Sequence, residues 1–338
     1  MIKQIQHGRF PGFEEEEGEG HFSGSREVFH QRNHRDISGQ FPLYDFLLLE
    51  TRDGNINAVI EPQPVDPRNS DKTARLFVKS ESGDISVSFI QQGTNYLATF
   101  KNGVVERLDS LPAASGSEKD ADMASLTHVA GDIPYRPYEV HISTKSGSIK
   151  GQYLFSTKAL LSTYSGDIAV SLTPVASVDG VFAGAGANTV GHHDGHRHDH
   201  HTSLVTESAS GSHHITLTEP LFIGPKGHDA SYDRDAVEEQ GSSERRRHSA
   251  KSVHITKSGN LDIEYPHSWA GNFTALYRSG WASLHGDGVE LTKNTSRLTK
   301  GFKRPGDDED EWWGARGDAD LLLKTTSGSV NFHVQNRV

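Results

Sequence analysis

The sequence predicts an all-β domain built from a repeat, and three observations carry that expectation. A phrase of apolar, x, apolar, x, Thr/Ser, x, Ser/Asp, Gly, x, apolar, x, apolar, x, apolar returns seven or eight times along the chain. Within each clear copy the side chains alternate with period two on either side of the glycine, as half-buried strands require. Glycine is abundant, 34 of 338 residues, and the hydrophobic share is 33%. That balance suits short strands and polar turns better than long helices.

The clearest copies are LLETRDGNINAVI ending at Ile60, LFVKSESGDISVSF from Leu76, VHISTKSGSIKGQY from Val140, ALLSTYSGDIAVSL from Ala159 and LLLKTTSGSVNFHV from Leu321. Weaker copies surround Gly211, Gly259 and Gly280. In the copy at Ala159 the inward set is Ala159, Leu161, Thr163 and Ser165, then Ile168, Val170 and Leu172. The phase slips by one residue at the Ser-Gly step, so the chain must bend or bulge there, and glycine reaches positive φ without steric cost. This marks Gly54, Gly83, Gly147, Gly166, Gly259 and Gly328 as structural corners.

Two architectures produce that slip. In a β-solenoid each phrase gives one strand to each of two sheets, with the Ser-Gly step as the corner of a coil. The alternative is an antiparallel β-sandwich of hairpins, each turning at its glycine. The 19-residue step from Gly147 to Gly166 holds two short strands and two corners. Inward Ser and Thr next to each glycine suit a ladder of hydroxyls in stacked coils. The solenoid-like two-sheet form is therefore the expected architecture.

The Thr-x-Ser-Gly-x-Ile phrase resembles the repeat of bacterial adhesin-type β-solenoid proteins, and of a fungal domain of unknown function that carries the same repeat. The resemblance covers roughly residues 45 to 335. It implies a repeat fold and a role in binding or adhesion, and it supplies no catalytic residues.

Domain organisation follows the copies. Residues 1 to 40 hold Glu14 to Glu17, Gly and His with no sustained periodicity, and read as a disordered polar tail. Residues 41 to 338 form one β-repeat domain. Polar insertions fall near 109–135, 184–203, 225–250 and 292–313, the usual place for length variation being one edge of a repeat array. Tyr96 to Phe100, then Asn102-Gly103 and Val104-Val105, read as an added hairpin.

Lys and Arg total 34 against 45 Asp and Glu, a net charge of −11 that repels nucleic acid and anionic membranes. No apolar run is long enough to span a bilayer, and the first thirty residues do not read as a secretory signal, so an intracellular location is expected. Absence of cysteine removes disulfides, thiolate metal sites and cysteine nucleophiles.

The tract GHHDGHRHDHH places His192, His193, His196, His198, His200 and His201 close together, donors suited to zinc, copper or nickel. A polar loop gives such ligands no second-shell support, so a solvated low-complexity insertion is expected and no cofactor is assigned. Arg245 to Arg247 followed by His248-Ser249 makes Ser249 a candidate phosphorylation site in a charged loop. Trp312 and Trp313 after the acidic run Asp307 to Glu311 are expected to cap the end of the stack. Asp84, Asp167 and Asp262 are the carboxylates that an enzyme assembled between coils would use, although Asp84 and Asp167 fit corner turns. The sequence thus points to a non-enzymatic binding, adhesin-like or scaffold domain with a protein or carbohydrate ligand. The alternative is a carbohydrate-active enzyme.

Overall fold

Each repeat phrase contributes one strand to each of two β-sheets, and the two strands flanking a Ser-Gly step never pair with each other. The computed structural model describes residues 26–68, 72–89, 95–101, 104–108, 126–130, 133–177, 200–223, 248–304 and 319–336. We call one phrase, with its strand in sheet A and its strand in sheet B, a rung. The rungs are β1 (Glu27–Arg32) with β2 (Ile37–Leu43), β3 (Phe46–Thr51) with β4 (Ile56–Pro62), and β5 (Ala74–Ser82) with β6 (Ile85–Phe89). An insertion then carries β7 (Asn95–Lys101), β8 (Val104–Leu108) and β9 (Leu126–Ala130), an antiparallel sheet of order β8-β7-β9 that contains the expected hairpin.

The fourth to seventh rungs are β10 (Tyr138–Ser146) with β11 (Ile149–Phe155), β12 (Lys158–Ser165) with β13 (Ile168–Ser177), β14 (His200–Ser210) with β15 (His213–Leu217), and β17 (His248–Ser258) with β18 (Leu261–Tyr265). The short β16 (Leu221–Ile223) follows β15 and pairs with the end of β13. The eighth rung is β19 (Gly271–Ser279) with β20 (Ala282–Gly286). An antiparallel pair, β21 (Val289–Asn294) and β22 (Leu298–Lys303), comes next, and β23 (Asp320–Ser327) with β24 (Val330–Val334) ends the chain's strands.

Sheet A runs β1-β3-β5-β10-β12-β14-β17-β23-β19-β22-β21, and sheet B runs β2-β4-β6-β11-β13-β15-β18-β24-β20. All pairings between rungs are parallel, in register from one phrase to the next. A sandwich of hairpins would pair the two arms of each phrase antiparallel, so the strand order excludes it. The core lies between the sheets: Leu161, Ile168 and Leu172 of the fifth rung are fully buried, as are Ile142, Ile149, Leu261, Ile263 and their equivalents. Ser165, expected to face inward, is exposed because the chain is already turning there.

Glycine occupies the corner for a reason beyond φ, although Gly211, Gly259, Gly328 and Gly280 do have positive φ of 120–155°. Gly166 has φ +157°, at the margin of extended backbone, and Gly54, Gly83 and Gly147 have no positive φ at all. What excludes a side chain is the neighbouring rung. A Cβ on Gly83, Gly147, Gly166, Gly211, Gly259, Gly328 or Gly280 would lie 1.8–2.1 Å from the carbonyl oxygen of the glycine stacked before it. Corner backbones approach too closely for any other residue. The inward hydroxyls use that closeness: Ser80 donates to Gly54 O at 3.1 Å, Thr144 to Gly83 O at 3.1 Å, Thr163 to Gly147 O at 3.0 Å and Thr325 to Gly259 O at 3.1 Å.

A second ladder runs outside the corner. Residues just after five of the glycines accept a backbone N–H from the next rung, as Asp84 Oδ1 does from Ser148 N at 2.7 Å and Asp167 Oδ1 from Ser212 N at 2.8 Å. These carboxylates thus hold turns, the structural role expected of them.

Four boundaries move from where the sequence placed them. Residues 27 to 40, assigned to the tail, hold β1 and most of β2, which pair in parallel with β3 and β4. Their corner is Arg35-Asp36, not Ser-Gly, and among the described residues no rung precedes it to crowd a side chain. The stretch near 292–313 begins as the hairpin of β21 and β22, whose register on β19 makes it part of sheet A. The insertions near 184–203 and 225–250 end earlier, at β14 and β17.

Every long insertion leaves from the edge where sheet B returns to sheet A, while turns from A to B at the glycines are two residues long, as in Gly166-Asp167, or four at Gly54. Length variation is tolerated at that edge because it lies away from the closely stacked glycine corners. Deleting residues 191–199, just short of β14, is accordingly expected to shift the thermal midpoint by no more than about 2 °C in a calorimetric scan. A larger loss would make that tract part of the fold.

Candidate functional site

The outer face of sheet A carries a column of side chains that crosses nine strands and is apolar at seven of them. Parallel register aligns Phe29, Leu48, Phe77, His141, Leu160, Val205, Val253, Leu322 and Thr274 at equivalent outward positions. All are half-buried except Phe29, which is 53% exposed on the edge strand. At about 4.8 Å per strand the column is about 38 Å long. Phe46 of the flanking column joins Phe29, Phe77 and His141 in a ribbon of rings with centroids 5.3, 5.3 and 4.6 Å apart and planes tilted by 39°, 30° and 37°. The ring faces therefore turn toward one another along the stack, and edges meet the solvent.

Sheet B presents a polar outer face instead. Its two outward columns read Ser38, Asn57, Ser86, Lys150, Ala169, His214, Asp262, Asn331, Ser283 and Gln40, Val59, Ser88, Gln152, Ser171, Thr216, Glu264, His333, His285. Toward the C-terminal end these side chains engage each other. Asp262 lies 2.8 Å from His214 Nδ1 and accepts from Asn331 Nδ2 at 2.7 Å, and the His285 and His333 rings stack at 4.7 Å. A His-Asp pair of this kind orients an imidazole, the first requirement of a general base. His214 is 65% exposed, and Asp84 and Asp167 sit at corners one column away, so the three candidate carboxylates do not converge. No family model, curated protein or solved structure matches this chain. The geometry alone therefore carries any functional reading.

Inside the stack, between the sixth and seventh rungs, the core turns polar. Thr206, His254 and His213 replace the aliphatic residues of their columns: Leu161 and Leu323 flank the first two in register, and Ile168 and Leu261 flank the third. Thr206 Oγ1 lies 3.0 Å from His213 Nδ1 and 2.8 Å from His254 Nδ1. His213 Nε2 lies 2.9 Å from Ser208 Oγ, and His254 Nε2 lies 3.2 Å from Tyr265 Oη. Ser208 donates onward to Gly211 O at 3.1 Å.

One direction satisfies every atom. Tyr265 O–H donates to His254, His254 Nδ1–H to Thr206, Thr206 O–H to His213, and His213 Nε2–H to Ser208. Each imidazole is then neutral with one donor and one acceptor used. Burial holds both well below the ordinary histidine value of 6.5, His213 at about 4 and His254 at about 3. For His213 the nearby Asp167 charge opposes that shift, and for His254 the proximity of His213 adds to it.

A third polar cluster fastens the insertion edge. Buried Asp45 meets Arg136 NH2 at 2.8 Å, Lys72 Nζ at 3.1 Å and Arg26 Nε at 3.7 Å. Arg136, fully buried, also donates to the carbonyls of Gln63 and Lys72. Burial pushes the Asp45 pKa up, but hydrogen bonds and charge from Arg136 and Lys72 outweigh it and hold the carboxyl below its ordinary range. This cluster ties the returns into the third and fourth rungs to the second, a structural role.

The corner glycines Gly54, Gly83, Gly147, Gly166, Gly259 and Gly328 all stand in one column, joined by Gly211 and Gly280. Of the histidine tract, His192, His193, His196 and His198 lie outside the described residues. His200 and His201 open β14, where their backbones pair with His248 and Ser249 of β17. Ser249 is thus a strand residue rather than a loop residue, since the parallel pairing of β17 with β14 starts at His248. Trp312 and Trp313 lie outside the described residues, and the strands that cover this end of sheet A are β22 and β21. Among the described residues no group of three or more His, Asp or Glu is arranged to hold a metal, and no helix is long and apolar enough to cross a membrane. The buried histidine network had one signal in the sequence: polar residues at positions where every clear copy is aliphatic.

Proposed function

We propose that this chain is a β-solenoid of adhesin-like type serving as a non-catalytic binding or scaffold domain, with the apolar column of sheet A as its contact surface. The observation that carries the reading is the outward row from Phe29 to Leu322, apolar at every position except His141. Solvent-facing positions of an exposed sheet are ordinarily polar, and an apolar patch of several hundred Å² marks an interaction site. A protein surface suits the column better than a glycan, because the phenylalanine faces that would stack on sugar rings are turned against one another.

Leu160→Glu with Val253→Glu tests this. Both side chains point outward, so unfolding free energy should change by less than about 1 kcal/mol. Capture of protein partners from extract, followed by titration calorimetry with the partner identified, should show binding to the parent chain and at least tenfold weaker binding to the variant, about 1.4 kcal/mol. Equal binding by both would remove the column from consideration. Release of reducing sugar from a polysaccharide, abolished by Asp262→Asn, would instead establish the enzyme reading.

A further inference from the structure

The order of strands departs from the order of the chain at one place. After β17 and β18 the chain skips a position, builds β19 to β22, and returns with β23 and β24 to fill the position it skipped. Among the described residues, every strand pairing that joins β19 to β22 to the first seven rungs passes through β23 or β24. The last rung is therefore a wedge between two parts that precede it in the chain.

The slot fits that wedge closely on both sides. Phe332 is fully buried, its ring 5.6 Å from Tyr265, 5.6 Å from Trp269 and 5.5 Å from Phe273. On the side of the seventh rung, Gly259 N donates to Ser327 O at 3.0 Å, Ser329 N to Asn260 Oδ1 at 2.9 Å and Asn331 Nδ2 to Asp262 Oδ1 at 2.7 Å. On the side of the eighth, Gly328 N donates to Ser279 O at 3.2 Å and Val330 N to Trp281 O at 2.9 Å. Leu321, Leu323, Val330 and Val334 fill the core between them. Residues 305 to 318, which connect β22 to this rung, are enough chain to reach about 50 Å when extended.

We propose that the slot between the seventh and eighth rungs is an interaction surface for the strand pair of residues 319–336, and that a second copy of this chain supplies that pair in trans by exchanging its last rung. Exchange preserves each contact just described, so the exchanged pair differs from the monomer in connectivity and not in packing. Its barrier is the opening of one wedge rather than unfolding of the whole stack.

Ser258 and Ser327 are register partners across β17 and β23, both exposed, in a chain without cysteine. A chain carrying Ser258→Cys and Ser327→Cys should be crosslinked internally by a short bifunctional thiol reagent; if it is not, the register beneath the proposal is wrong. Chains with Ser258→Cys alone and Ser327→Cys alone are then mixed, taken to urea below the unfolding midpoint, returned to buffer and crosslinked. Exchange predicts a two-chain product joining one of each kind. An excess of synthetic 319–336 peptide should suppress that product, and the peptide with Phe332→Ala should compete about a hundredfold less well. No two-chain product, or one that the peptide leaves unchanged, overturns the proposal.

Discussion

Gly166→Ala is expected to destabilise the domain by about 3 kcal/mol or more, and Gly166→Val by at least as much. The added Cβ would stand 2.0 Å from Gly147 O and 2.5 Å from its carbonyl carbon, both backbone atoms held by the ladder on either side. Relief requires the fourth and fifth rungs to separate at the corner, which lengthens the Thr163 bond to Gly147 O and the Gly147 N bond to Ser165 O. Because the clash comes from Cβ itself, alanine shares most of the cost. A left-handed φ penalty alone would be about 1–2 kcal/mol. Asp167→Ala in the next position loses only its exposed bond to Ser212 N and should cost about 1 kcal/mol. Denaturant melts of the three variants separate the accounts: a harmless alanine would mean that the stacked corners have room to spare.

The rung itself was legible because one phrase states it twice over. Alternation assigned Ala159, Leu161 and Thr163 inward on one side of Gly166 and Ile168, Val170 and Leu172 inward on the other, and these are buried. The first rung escaped notice because its corner, Arg35-Asp36, lacks the Ser-Gly mark, although Ile37, Phe41 and Leu43 keep the period of two and are buried. Rung order near the end was not legible, since in sequence any copy can stack on any other.

In the structure β19 carries Tyr277 in register with Thr325, and its hydroxyl donates to Thr295 O at 2.8 Å, beside the antiparallel β22. Because β22 takes the other edge of β19, where a further parallel rung would stack, β19 closes the run of parallel rungs and the last copy lies inside it. Of the candidate surfaces, the column was present in each clear phrase as its first outward residue, apolar in all of them except at His141. It became visible only when parallel register laid those residues side by side, for a single amphipathic strand does not reveal what its neighbours place next to it.

The buried histidines make acid the second large effect. Their folded pKa values, about 4 for His213 and about 3 for His254, lie below the ordinary 6.5, so between those limits the unfolded chain binds protons that the folded one refuses. Stability therefore rises with pH through that window, is complete above about 6.5, and falls by about 1.4 kcal/mol per histidine for each pH unit below it until the folded group itself titrates. A proton on either ring converts an acceptor into a donor and sets two hydrogens against each other at Thr206 or Tyr265. The groups facing the pair are Asp167 on the His213 side and Tyr265, held neutral by burial, on the His254 side. Restoring the aliphatic pattern with Thr206→Val, His213→Ile and His254→Leu removes the titration while leaving carboxylates elsewhere untouched. Urea melts at pH 7.5 and 4.5 should show the parent chain losing about 5 kcal/mol more than this variant over the interval, close to two units of pH for each of two histidines. Identical losses in the two proteins would mean that the imidazoles become protonated inside the folded stack, and that the hydrogen-bonded chain through Thr206 does not hold them neutral.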